Sequence, residues 1–184
     1  MKIKLYKWSE ILLKKEVVSL MLGCLVVVSA AGCSQTSAAD GPKGVSKEMD
    51  AFITNYVVAQ YKGQLNNPTD KGFEVHKIYG SKKKDDTTTV YLQYFYEGFS
   101  YSTKTELETA SVVPASITLK EKGNSYEVVD YKEPGDGDMF GDDLKKLFPS
   151  KYVKETIHDQ SNAAGLQDEM DKKVKNWEKE KNKS

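Results

Sequence analysis

The apolar residues of this chain change period once, and that change decides what it can fold into. Met49, Phe52, Ile53, Tyr56, Val57, Gln60 and Tyr61 recur at i, i+3, i+4, i+7 and i+8, the repeat of one face of an α-helix. From Phe73 onward the repeat shortens towards two, the repeat of strands. A helix with one apolar face, followed by stretches with one apolar side each, buries both by laying the helix across a sheet. Ser46 is placed to cap the helix, and Glu48 and Asp50 suit its positive end. Lys62-Gly63 supplies the stop, and Asn66-Asn67-Pro68 the loop that follows.

Four strands are expected. Phe73–Val75 with Ile78–Tyr79 forms the first, Thr87–Tyr101 the second, Thr105–Glu121 the third and Ser125–Tyr131 the fourth. The third alternates most cleanly: Leu107, Thr109, Val113, Ala115, Ile117 and Leu119 fall on one side, and Glu106, Glu108, Ser116, Thr118 and Lys120 on the other. That is the pattern of a half-buried antiparallel strand. Lys122-Gly123-Asn124 reads as a hairpin turn, and Lys82 to Asp86 as a charged hairpin tip. Pro114 cannot donate a ladder hydrogen bond and belongs at an edge or a bulge. Glu97-Gly98 interrupts the second strand and marks a bulge that curves the sheet. The fold class is therefore α+β: an N-terminal helix packed on a curved four-stranded antiparallel sheet, cystatin-like or nuclear-transport-factor-like by analogy of architecture, with a C-terminal helical tail. Such an analogy carries no activity with it.

Tyr91, Tyr94, Phe95, Tyr96, Phe99 and Tyr101 put aromatic rings on both faces of the second strand. Either they line a ligand groove, or one set packs under the helix and the other under the tail, with hydroxyls kept wet; the second reading is favoured. The tail repeats Ala163, Leu166, Met170, Val174 and Trp177 at helical spacing. Asp168-Lys172, Glu169-Lys173 and Asp171-Lys175 pair acid with lysine four residues on. The stripe is narrow enough to leave two roles open, packing on the sheet or docking a partner protein. Tyr94, Tyr96 and Trp177 are the candidate partner surface.

The chain opens differently. Lys2, Lys4, Lys7, Lys14 and Lys15 precede an uncharged run from Val17 to Ala31, the layout of a secretory signal. The run is shorter than the roughly 20 apolar residues of a membrane-spanning helix. It shrinks to Ala30-Ala31-Gly32 and meets Cys33 at a sharp change to polar sequence. This boundary resembles the lipobox of bacterial lipoproteins, with Ala30 where leucine is commonest. The resemblance implies that cleavage after Gly32 leaves Cys33 as the first mature residue, acylated on sulfur. Cys24 follows Met21-Leu22-Gly23, but cleavage there would leave Leu25 to Ala31 exposed. The expected organisation is a signal peptide over 1–32, a lipidated flexible tether over 33–47, an α+β domain over 48–155 and a charged helix over 156–184.

With the leader gone and Cys33 modified, no thiol remains for a disulfide or a thiolate metal site. Five of the 27 basic and two of the 27 acidic residues lie in residues 1–32, so the rest carries 22 against 25, a net charge of minus three. Every basic residue is lysine. Bidentate recognition of bases and phosphates leans on arginine, so nucleic acid is not an expected partner.

After the fourth strand, Glu133, Pro134, Asp136, Gly137, Leu144, Phe148 and Pro149 make an E-P-x-D-G turn, a short helix capped by Asp142 and a Phe-Pro stop. Over Phe73 to Tyr152 this resembles small exported domains of Gram-positive bacteria. These occur as lipoproteins and, in some relatives, behind membrane-embedded metallopeptidases similar to beta-lactam-sensing antirepressors. The resemblance implies an extracytoplasmic accessory module; the peptidase's own zinc motif is absent from the sequence. Asp136, Asp138 and Gly141 match part of an EF-hand loop, but Phe140 and Leu147 stand where ligands are required. His76 and His158 lie in no zinc spacing. No nucleophile elbow or phosphate loop occurs. No catalytic, cofactor or metal residues are assigned. The expected function is a lipid-anchored binding or sensing module on the extracytoplasmic face of the cell membrane, with a membrane or envelope protein as partner. The alternative is an exported hydrolase acting on an envelope glycan through carboxylates such as Glu97 with Glu106.

Overall fold

A computed structural model describes residues 36–64, 69–100, 107–160 and 164–181. The stretch read as a signal peptide (1–32) with Cys24, and also Cys33, the Asn66-Asn67-Pro68 loop, Tyr101, Glu106 and Ala163, lie outside these residues. The first helix, α1 (Lys47–Gln64), begins as expected: Ser46 Oγ accepts from the Met49 amide at 3.1 Å, and its carbonyl accepts from the Asp50 amide.

The sheet has five strands, one more than expected. They are β1 (Thr36–Asp40), β2 (Lys71–Lys84), β3 (Thr87–Phe99), β4 (Leu107–Lys122) and β5 (Ser125–Lys132), all antiparallel and ordered as in the chain. The extra strand, β1, falls in the stretch expected to be a flexible tether. It pairs Thr36 with Lys84 and Asp40 with Gly80, and a short 3-10 turn (Gly41–Gly44) leads from it into α1. After Thr36 its residues are poor strand formers, and long-range contacts hold them: Tyr152 Oη donates to Asp40 Oδ1 at 2.6 Å, and Lys151 pairs with the same carboxylate. Gly80 has to lack a side chain, because a Cβ there would lie 2.6 Å from the Ala39 carbonyl oxygen.

Hairpin turns sit where the sequence places them. Gly123-Asn124, with Gly123 at φ 61°, closes β4 on β5 from Lys122 to Ser125. Asp85-Asp86, with Asp85 at φ 54°, closes β2 on β3. The register shifts between Gly98 and Phe99, where the pairing passes over Glu108 of β4, close to the expected bulge at Glu97-Gly98. A second shift passes over Tyr79 in β2. Pro114 stands opposite Gln93, just before β4 gains β5 as its second neighbour at Ser116.

Both faces of the sheet are roofed. Met49, Ile53 and Val57 of α1 pack on Leu92, Tyr94 and Ile117. The opposite face is covered by three further helices: α2 (Phe140–Leu147), α3 (Ser150–Gln160) and α4 (Ala164–Lys181). Leu144, Phe148 and Tyr152 close over Tyr79, while Met170 closes over Val75 and Phe95. The tail is thus two helices, split between α3 and α4. Asp142 does not cap α2, which starts after Met139 without a side-chain cap; Asp142 instead pairs with Lys145 at 3.0 Å.

Candidate functional site

Side chains at alternate positions of a strand share a face, so Glu74 and His76 of β2 both point towards α1. There His76 Nδ1 lies 2.9 Å from Glu74 Oε1, and its Nε2 lies 3.1 Å from Asp50 Oδ1 in the first turn of α1. The His76 side chain is 4% exposed and that of Glu74 is fully enclosed. Burial alone would favour neutral imidazole, but hydrogen bonds and charge from the two carboxylates outweigh it and raise the pKa to about 9. The ring is therefore an imidazolium at neutral pH, donating from both nitrogens. The same contact holds the Asp50 carboxyl below its usual range. Glu74 Oε2 is buried with no hydrogen-bond partner among the described residues. From α4, Lys173 Nζ donates to the Glu74 carbonyl at 2.8 Å, so the unpaired edge of β2 is fastened at this point.

Lys77, Tyr79 and Gln93 project from the opposite face, under α3. Lys77 Nζ is 2.8 Å from both Glu155 and Asp159, and Tyr79 Oη donates to Asp159 Oδ2 at 3.0 Å. Burial and the Asp159 charge push the Tyr79 phenol up. Gln93 Nε2 donates to the Asp159 carbonyl, and its Oε1 accepts from Gln160 at 2.8 Å. Beside this cluster a cleft of about 420 Å³ opens between β2, β3 and the facing ends of α3 and α4. His76, Lys77, Gln93, Asp159, Leu166 and Glu169 line it. Besides His76, its wall combines the Lys77 ammonium, two carboxylates, an amide and one apolar side chain, so it can orient a small polar group by several hydrogen bonds at once.

A third polar cluster lies beneath the C-terminal half of α1. Tyr94 Oη donates to Glu133 Oε1 at 2.6 Å and sits 3.1 Å from both Tyr61 Oη and Tyr131 Oη; Tyr131 also donates to Glu133. The Tyr61 ring stacks on Tyr96 with centroids 4.2 Å apart. Burial raises the phenol pKa of Tyr94 and of Tyr131.

These contacts correct the candidate partner surface. Tyr94 and Tyr96 are wholly buried, because their positions on β3 face α1. Trp177 is half-buried against Phe73 and Phe99, at centroid distances of 5.5 and 5.8 Å, so its ring docks on the sheet. The aromatic residues described on β3 are core on both faces, which is the favoured reading of the strand. Glu97 lies under α4, where Gln167 donates to it at 3.3 Å; burial raises its pKa, and the Asp171 charge adds to the rise. The proposed companion, Glu106, lies outside the described residues. Asp143 pairs with Lys146 and accepts from the Gly135 amide, tying the E-P-x-D-G turn to α2.

Glu74 was not singled out in the sequence, and Asp50 was marked only as an acid suited to the start of α1, not as part of a site. A glutamate two residues before a histidine on one strand face was the available signal for Glu74; nothing local marks Asp50 for this role, since it arrives from another element. Among the described residues no group of three or more His, Cys, Asp or Glu side chains is arranged to hold a metal ion; both nitrogens of His76 already meet carboxylates. No helix among the described residues is long and apolar enough to cross a membrane. No family model, curated protein or solved structure matches the chain.

Proposed function

We propose that this chain is a lipid-anchored extracytoplasmic lipoprotein, held to the membrane through Cys33, that acts as a non-enzymatic binding or sensing module at the cell surface. The anchoring rests on the basic leader, the shrinking apolar run and the abrupt polar boundary at Gly32-Cys33. The binding role rests on one observation, the cleft beside His76 in which Lys77, Gln93, Asp159 and Glu169 converge around Leu166. The partner is a membrane or envelope protein, or a small polar group that it presents. The hydrolase reading has less support, since Glu97 is roofed by α4 and is 6% exposed.

Two measurements test this. Cells expressing the full chain and fed an alkyne fatty acid should label it, and Cys33→Ser should abolish the label. A photo-crosslinking residue at Leu166 should give a discrete adduct on intact cells, whereas one at the exposed Val129 of β5 should not. Label retained in Cys33→Ser defeats the anchoring; adducts equal at both positions, or absent from both, defeat the binding role.

A further inference from the structure

The strand nearest the proposed anchor pairs with the most basic run outside the leader. Thr36, Ser37 and Ala38 of β1 lie opposite Lys84, Lys83 and Lys82 of β2. Cys33 precedes Thr36 by three residues, a reach of about 10 Å when fully extended, and paired strands are about 4.8 Å apart. A membrane anchor at Cys33 would thus be tied by a tether of only two residues to the strand end that stands opposite Lys84, and a lysine side chain adds its own reach towards that membrane. The constraint survives either way of holding the chain, since the apolar run ends at Ala31, only five residues before β1.

All three lysines are exposed, and none forms a salt bridge among the described residues. Of the acids at this end of the sheet, Asp86 pairs with Lys120 at 2.7 Å and Glu127 with Lys122 at 3.1 Å, while the exposed Asp85 beside Lys84 offsets part of the lysine charge. Lys82 and Lys84 project from one face of the strand and Lys83 from the other, so the cluster presents its charge outward around the tip of the β2–β3 hairpin.

From this placement we infer that the Lys82–Lys84 end of the sheet rests on anionic phospholipid headgroups of the membrane in which the chain is anchored. The inference depends on the anchoring proposed above and adds an orientation to it. One lipid chain holds a protein only marginally, and a basic patch beside it is a recognised second signal. Each lysine at an anionic surface strengthens attachment about fivefold, and three together about a hundredfold, over a range set by the Debye length of about 8 Å. The opposite end of β2, where Trp177 meets Phe73, then faces away from the bilayer.

The test uses the full chain extracted from membranes and reconstituted into vesicles of phosphatidylcholine alone, or of phosphatidylcholine with about a third phosphatidylglycerol. Amine acylation is followed lysine by lysine by mass spectrometry, with the exposed Lys179 of α4 as internal reference. In the anionic vesicles Lys82, Lys83 and Lys84 should react about tenfold more slowly than in the neutral ones. Molar salt should remove the difference, and Lys179 should not change. Protein that floats with both vesicles yet shows equal rates at the three lysines overturns the orientation and leaves the anchor standing. Equal protection in neutral vesicles overturns the electrostatic contact. Protein that fails to float overturns the anchor and this inference with it.

Discussion

His76 of β2 and Asp50 of α1 are joined at 3.1 Å, with Glu74 gripping the other side of the same ring. The folded-state pKa of about 9 stands above the ordinary 6.5, so the bridge stabilises the fold fully below pH 6.5. That contribution is lost as pH rises towards 9. A shift of this size corresponds to about 3 kcal/mol. Urea unfolding at pH 6 and at pH 9.5 should differ by roughly that amount, and His76→Gln should flatten the difference; an unchanged pH profile in that variant would show that other groups carry it.

Ile53 is fully buried between α1 and the sheet. Ile53→Ala should cost about 2–5 kcal/mol. Trp177, half-covered on the other face, should cost about 2 kcal/mol when cut to alanine. Thermal or denaturant melts check both, and a Trp177→Ala protein as stable as the parent would mean that its contacts with Phe73 and Phe99 contribute nothing.

Lys173→Met keeps the aliphatic stem and removes the ammonium that caps the Glu74 carbonyl. Loss of a charged hydrogen bond should cost about 1.5–3 kcal/mol. Hydrogen exchange should speed up selectively along residues 72–76 of β2, the stretch without a second strand beside it. Faster exchange spread evenly over the sheet would contradict this local role.

Tyr94→Phe removes the hydroxyl on which Tyr61, Tyr131 and Glu133 converge. Because Tyr61 and Tyr131, which are left behind with the exposed Glu133, are partly buried, the expected cost is about 1–3 kcal/mol. Tyr131→Phe added to it should cost less than the sum of the two single changes, since they share Glu133. Strict additivity would show that the cluster is not one network.

The helix and four of the strands were legible because each carries its own period and its own turn residues, as at Ser46 and Gly123-Asn124. β1 was not, because Thr36–Asp40 has the composition of a spacer and becomes a strand only through partners more than forty residues away: the close approach at Gly80, and Tyr152 with Lys151 on Asp40. α3 was not foreseen as one helix, and the expected boundary between domain and tail at 155/156 falls inside it, because its buried side chains, Tyr152, Val153 and Thr156, are interspersed with charged neighbours. For the site, the sequence marked single residues such as His76 and Glu97 but not their companions. Asp50 with His76, and Gln93 with Asp159, come from elements far apart in the chain and are brought together only by the docking of helices on the two faces.

The order of strands in the sheet repeats their order in the chain, and this bears on how the fold is reached. Each strand after the first finds its neighbour already made, one hairpin or one helix earlier, so the sheet can grow by stepwise addition with little loop closure at any stage. The last quarter of the chain is different. Until α2, α3 and α4 arrive, Tyr79, Phe95 and their neighbours face solvent, and a chain stopped at Lys132 would carry a finished sheet with one sticky side. Completion, rather than nucleation, is the step at which a nascent molecule of this protein is most exposed to aggregation or to the attention of a chaperone.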